Sequence, residues 1–218
     1  QYTATFDADN KAAYADIVNQ FLLVAKRTYD KETGLYRHAW DEIKALPWSD
    51  KSGRSAHVWG RALGWYMMAI VDALDYLPQD QPGRDKIITI LQGIVKNLAK
   101  YQDPQTGAWC QVIDQTGREG NYLEMSCTPM YAYAIAKGVR KGYLDPSTLE
   151  MAKKAYQGIL DNFIKVDEKG LVSLTRVCGV AGLGGKPYRD GSFEYYINEV
   201  IRDNDPKGVA PFIMLCIE

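Results

Sequence analysis

Residues 61–77, RALGWYMMAIVDALDYL, are apolar on almost every side of a helix, and a helix of that kind is buried on most of its surface. Residues 11–29 read differently. Tyr14, Ile17, Val18, Phe21, Leu22 and Ala25 recur at spacings of three and four after the capping-type cluster Asp7 to Asn10, which predicts an amphipathic helix with a polar outer face. The alternation then continues. Ile87, Leu91, Ile94, Val95 and Leu98 stripe one face of residues 83–101, and Thr128 and Pro129 stand where the N-cap and first position of a second mostly apolar helix (MYAYAIAKGV) belong. Asp145 and Pro146 open a third amphipathic helix with Leu149, Ala152, Tyr156, Ile159 and Phe163 on one side. A last apolar helix is predicted over residues 207–217.

A repeat ties these segments together. Asp30-Lys-Glu-Thr-Gly34-Leu35-Tyr36, Asp103-Pro-Gln-Thr-Gly107-Ala108-Trp109 and the degenerate Asp167-Glu-Lys-Gly170-Leu171 each follow an amphipathic helix, at spacings of 73 and 64 residues. That is the length of a helical hairpin with a long loop, and fixed periods of this kind indicate stacked units. The loops after amphipathic helices are long, whereas those near Pro78 to Pro82 and Gly142 to Asp145 are short. All the long loops therefore fall on one face. The pattern predicts an all-α fold, an α/α toroid in which outer amphipathic helices alternate with inner apolar ones. About six helices, in three hairpins, supply only half of a six-hairpin ring. An open solenoid or a helical bundle is the alternative.

The chain of 218 residues is the size of one domain, 1–218. Its 26 basic and 27 acidic residues are spread along the sequence, so charge makes no case for nucleic acid or an anionic membrane as partner. No apolar run approaches the roughly 20 residues that a spanning helix needs. Cys110, Cys127, Cys178 and Cys216 form no CxxC pair, which leaves buried thiols as the reading and gives no sign of a metal or cofactor. The chain begins at Gln1 without an initiator Met or a leader, from which processing or truncation of a longer protein is expected; the compartment, cytoplasmic or periplasmic, stays open.

The densest polar and aromatic cluster is Tyr36-Arg37-His38-Ala39-Trp40-Asp41-Glu42, followed by Pro47-Trp48 and then Trp59-Gly60-Arg61-Ala62-Leu63-Gly64-Trp65. Aromatic faces with a guanidinium and an imidazole suit a sugar acid, because rings stack on apolar sugar faces and Arg pairs a carboxylate bidentately. On one helix Arg61 and Trp65 share a face, whereas Trp59 joins them only if the helix starts near Gly60 and Trp59 lies in the loop before it. The second cluster, residues 182–195, has Gly184-Gly185 in no phosphate-loop setting. Asp41 or Glu42 opposite Asp190 or Glu194 would make an acid and base pair for ordinary glycoside hydrolysis.

Five segments, TGLYRHAWDE, GRSAHVWGRALGWYMMAIVDAL, YQDPQTGAWCQV, GNYLEMS and AGLGGKPYRDGSFEYY, resemble the unsaturated rhamnogalacturonyl hydrolases, glycoside hydrolase family 105, in order along essentially the whole chain. The resemblance implies an (α/α)6 barrel of which this chain is the C-terminal portion. It also implies an oligosaccharide substrate with a 4,5-unsaturated uronic acid at its non-reducing end. By the same resemblance His38, Trp59, Arg61 and Trp65 line the pocket for that ring. In the family an Asp protonates the C4=C5 bond, water adds at C5, and the hemiketal opens to release the sugar. By the resemblance that Asp lies at the start of the inner helix before the one predicted over residues 11–29, which places it before Gln1; Asp7, Asp9 and Asp16 do not stand in its motif, so the catalytic residue is unknown and the chain alone is expected to be inactive. A carbohydrate-binding or structural half-toroid without catalysis is the second reading. Uncovered ring edges predict self-association.

Overall fold

The computed structural model describes residues 1–218 and is mostly helical. A short helix α1 (Tyr2–Phe6) is followed by α2 (Lys11–Thr28), α3 (Gly60–Ala73), α4 (Arg84–Leu98), α5 (Cys127–Arg140), α6 (Leu149–Asn162), a second short helix α7 (Phe193–Ile197) and α8 (Pro206–Ile217). Along the chain the six longer helices alternate between two rows. Apolar α5 lies at the centre, packed on α3, α6 and α8, while α2 packs on α4. The inner row is therefore α3, α5, α8 and the outer row α2, α4, α6. Gly64 permits the close approach of α3 to α5, because a Cβ there would stand 2.7 Å from Met130 Sδ. Leu63, Met67, Ile70, Ile87, Leu91, Trp109 and Tyr131 fill the core between the rows.

The repeated turns are one structural device. In the first, Asp30 accepts hydrogen bonds from the Thr33 amide and hydroxyl while Gly34 takes φ +71°. In the second, Asp103 accepts from the Thr106 amide and hydroxyl, both at 2.7 Å, and Gly107 takes φ +72°. Each turn sits on the next outer helix. Asn97 of α4 donates to the Gly34 carbonyl at 3.1 Å, and Lys154 of α6 donates to the Pro104 carbonyl at 2.7 Å. The degenerate third turn keeps Asp167 as acceptor, for the Lys169 and Leu171 amides, but no atom lies within 4 Å of the outer side of Gly170.

The start of α5 differs from the sequence expectation. Thr128 does not cap it: the Thr128 hydroxyl accepts from the Trp109 amide, and Glu124 instead accepts from Cys127 N, so the helix begins at Cys127. Asp145 and Pro146 open a 3-10 turn that leads into α6, and Asp205 with Pro206 opens α8. The third long loop also holds two small antiparallel sheets. In one, β1 (Ile164–Val166) pairs with β2 (Val172–Leu174); in the other, β3 (Val177–Cys178) pairs with β4 (Ile201–Arg202). No helix is long and apolar enough to cross a membrane.

Candidate functional site

The three long loops, residues 29–59, 99–126 and 163–205, gather on one face and are bonded to one another. Gly60 N donates to Gln111 O and Ile113 N to Val58 O, which joins the first loop to the second; Met125 N donates to Arg176 O, which joins the second to the third. This stitching fixes Trp59. Its bridge to Val112 holds it extended at φ -78°, ψ 124°, so it is the N-cap residue of α3 rather than part of the helix.

The Trp59 side chain, 5% exposed, donates from Nε1 to Gln111 Oε1 at 3.2 Å. Tyr196 of α7 stacks on it at 6.1 Å, and the His38 ring lies 4.6 Å away. His38 Nδ1 is 2.6 Å from Tyr196 Oη, a contact between the first loop and the third. Burial, reinforced by the Arg189 charge, brings the His38 pKa down to about 4, so the imidazole is neutral at ordinary pH. Arg189 donates from Nε to Gly184 O at 2.8 Å, and its terminal nitrogens make no hydrogen bond within the protein.

Arg61 does not open on this face as the sequence suggested. It is 1% exposed and points inward, with Nε donating to Ser126 Oγ at 2.7 Å, the terminal nitrogens donating to the Gly179 and Cys178 carbonyls, and Glu124 Oε1 at 3.6 Å. Trp65, one turn or roughly 5.4 Å further along α3, is 46% exposed. The shared helix face is real, but the segment ending in β3 covers only its first turn. His38, Trp59 and Tyr196 are thus brought together, Arg61 lies beneath them, and Trp65 stands apart along the helix.

Of the carboxylates proposed for ordinary hydrolysis, Glu42 is exposed and makes no hydrogen bond within the protein, and the other three are engaged elsewhere. Asp41 accepts from the Leu46, Ala45 and Ile43 amides and the Ser49 hydroxyl, which hold its pKa down. Asp190 accepts from the Ser192 amide, and its pKa is likewise low. Glu194 is exposed and pairs with Arg118. Asp114 is held by His57 and the Val58 amide. Residue-by-residue reading of the sequence missed Tyr196, Gln111 and Arg189. All three lie inside the motifs quoted above, and only the meeting of three distant loops distinguishes them from turn and core residues.

A two-row array of helices with its long loops and a cluster of stacked aromatic rings gathered on one face is the arrangement of the α/α-toroid class. The profile of Glycosyl Hydrolase Family 88 matches residues 3–218, and the chain belongs to that family. It is similar to the solved structure of a family 105 glycoside hydrolase of C. acetobutylicum ATCC 824, at 46% identity and a TM-score of 0.95, covering 98% of this chain and 59% of that one. The 24.9 kDa protein in the picA locus of Rhizobium radiobacter is 38% identical over 213 residues, 93% of this chain and 89% of that protein. Unsaturated rhamnogalacturonyl hydrolase YesR of Bacillus subtilis is 31% identical over 144 residues, 66% of this chain and 36% of that protein. The chain thus spans most of one curated relative, about a third of YesR and less than two thirds of the family 105 structure.

Proposed function

We propose that this chain forms part of a glycoside hydrolase that removes 4,5-unsaturated uronyl residues from rhamnogalacturonan-derived oligosaccharides by hydrating the C4=C5 bond. The observation that carries the reading is the wall made by Trp59, Tyr196 and neutral His38 on the long-loop face, with the free end of Arg189 beside it. In this assignment His38 and Trp59 bound the unsaturated ring and Arg189 pairs the uronate carboxylate. Trp65 offers an exposed ring for a further sugar, and Arg61 supports the wall from beneath.

The proton donor is assigned to a carboxyl outside these 218 residues. A general acid must hold its proton near working pH. Every Asp of this chain whose pKa is displaced is displaced downward, namely Asp30, Asp41, Asp50, Asp75, Asp103, Asp145, Asp190 and Asp205. The chain is accordingly read as about half of an (α/α)6 ring. Its uncovered parts support this: Ile213 and Ile217 on α8 and the bare outer side of Gly170. The same exposed surfaces favour self-association of the isolated chain.

The loss of ultraviolet absorbance of an unsaturated galacturonyl-rhamnose disaccharide tests the proposal. Residues 1–218 alone should give no turnover, whereas a longer chain that adds the remaining hairpins should be active. In that longer chain Arg189→Ala should weaken the unsaturated substrate by about 2–5 kcal/mol, the usual cost of losing one partner of a desolvated charge pair. Robust turnover by residues 1–218 would place the acid inside the chain, with Asp190 the first group to examine.

A further inference from the structure

We propose that Tyr196 is a positioning residue that donates its phenol hydrogen to His38 Nδ1 and thereby fixes the imidazole as the neutral Nε2–H tautomer, a hydrogen-bond donor toward the sugar. The inference rests on the assignment of His38 to the pocket wall made above.

The argument begins with the Tyr196 hydroxyl. Tyr196 is 0% exposed, and its side chain makes one hydrogen bond, the 2.6 Å contact with His38 Nδ1. Two arrangements of hydrogen fit that distance. If Nδ1 carried the hydrogen and donated to the phenol oxygen, the phenol hydrogen would have no acceptor in a place sealed from water, and buried donors without acceptors are avoided. If the phenol donates to Nδ1, both groups are satisfied. A neutral imidazole has one hydrogen to place, so it must then lie on Nε2. An imidazolium would set Nδ1–H against the same phenol and place a second positive charge beside Arg189; burial and that charge both disfavour it.

The neighbours keep the pair in register. Gln111 Nε2 donates to the Tyr196 backbone carbonyl at 3.2 Å while Gln111 Oε1 accepts from Trp59 Nε1, so one amide holds both aromatic residues that flank His38. On the other side, His38 Nε2 has no partner within the protein and is not sealed. The nitrogen that carries the hydrogen is therefore the one open to a ligand. Its chemistry suits a hydroxyl or ring oxygen, which it can approach as a donor without adding charge.

The chain supplies its own reference, since it has only two histidines. His57 Nδ1 lies 2.8 Å from Asp114 Oδ2, and a carboxylate only accepts, so Nδ1 of His57 carries hydrogen. The two imidazoles should therefore differ at Nδ1, which carries hydrogen in His57 and none in His38.

Long-range proton–nitrogen correlation on the uniformly nitrogen-15-labelled chain near neutral pH reads this directly, with His38→Asn and His57→Asn assigning the signals. For His38 the unprotonated, downfield nitrogen should correlate with Hε1 and only weakly with Hδ2, which marks it as Nδ1. In Tyr196→Phe that signal should move upfield toward an average of the two tautomers. A wild-type His38 with hydrogen on Nδ1, or charged, overturns the proposal without use of any variant, and so does a Tyr196→Phe spectrum identical to wild type in a protein that still melts cooperatively. Adding the unsaturated galacturonyl-rhamnose disaccharide to the longer chain that completes the ring separates the two readings. A shift of Nε2 supports the donor role, whereas the Nε2–H tautomer with no response to the sugar would uphold the Tyr196–His38 pairing and overturn the assignment of His38 to the pocket.

Discussion

Glu124 is fully buried and accepts hydrogen bonds from Ser126 Oγ, Cys127 N and Cys178 N, so one carboxylate ties the second long loop, the start of α5 and β3 together. Arg61 answers its charge at 3.6 Å. Removing the guanidinium strands that carboxylate, and breaking a buried pair on one side costs about 3–5 kcal/mol. Arg61→Ala should lose stability of that order in denaturant unfolding. A loss below about 1 kcal/mol, the range of exposed ion pairs, would show that the guanidinium serves something other than the fold. His38 gives a pH dependence. Its folded pKa, about 4, lies below the ordinary 6.5, so between these values the unfolded chain binds more protons and stability falls as pH falls. Stability curves of wild type and His38→Asn should run parallel above pH 6.5, and wild type should lose ground below it, toward pH 4; parallel curves throughout would mean that His38 is solvated. At this scale the sequence made His38, Trp59 and Trp65 legible as residue types beside a buried helix. It could not orient Arg61, because helical spacing gives a side chain's direction and says nothing of the loop that covers it.

The helices themselves were readable because their apolar residues keep a 3.6-residue period over several turns. The strands β1 to β4 and the helices α1 and α7 were not, since two to five residues carry no period. The start of α5 was misjudged for a different reason: Thr128 has the chemistry of a cap, but its hydroxyl is taken by Trp109 N from a segment distant in sequence. The repeated turn was the most informative element, and its docking makes it testable. Gly107 has φ +72°, and a Cβ there would lie 2.8 Å from the Lys154 backbone, whereas Gly170 has φ +78° with nothing within 4 Å. Both alanine substitutions strain the backbone, at about 1–3 kcal/mol. Gly107→Ala must in addition push the turn off α6, so it should lower the melting temperature more than Gly170→Ala. Equal effects would mean that the second turn is no better docked than the third.

For the whole molecule, the alternation of polar-faced and all-round apolar helices was enough to give the order of rows and the common face of the long loops. What closes the array was not legible, because closure depends on surfaces rather than on periods. The inner row ends on α3 and α8, each with α5 on one side only, and on α8 the exposed apolar residues Ile213 and Ile217 stand. Apolar surface left open at the end of an inner row favours association in water. Sedimentation of the isolated chain should therefore show concentration-dependent oligomers. Ile213→Gln combined with Ile217→Gln should reduce them while the melting temperature stays close to wild type, because exposed positions away from special features change stability within about 0.5 kcal/mol. A longer chain that adds the remaining hairpins should sediment as a monomer under the same conditions, its own helices lying where a second copy otherwise packs. A chain of residues 1–218 that is monomeric at every concentration and melts in one sharp transition would overturn the half-ring reading, since an inner wall left open on both flanks would then carry no cost.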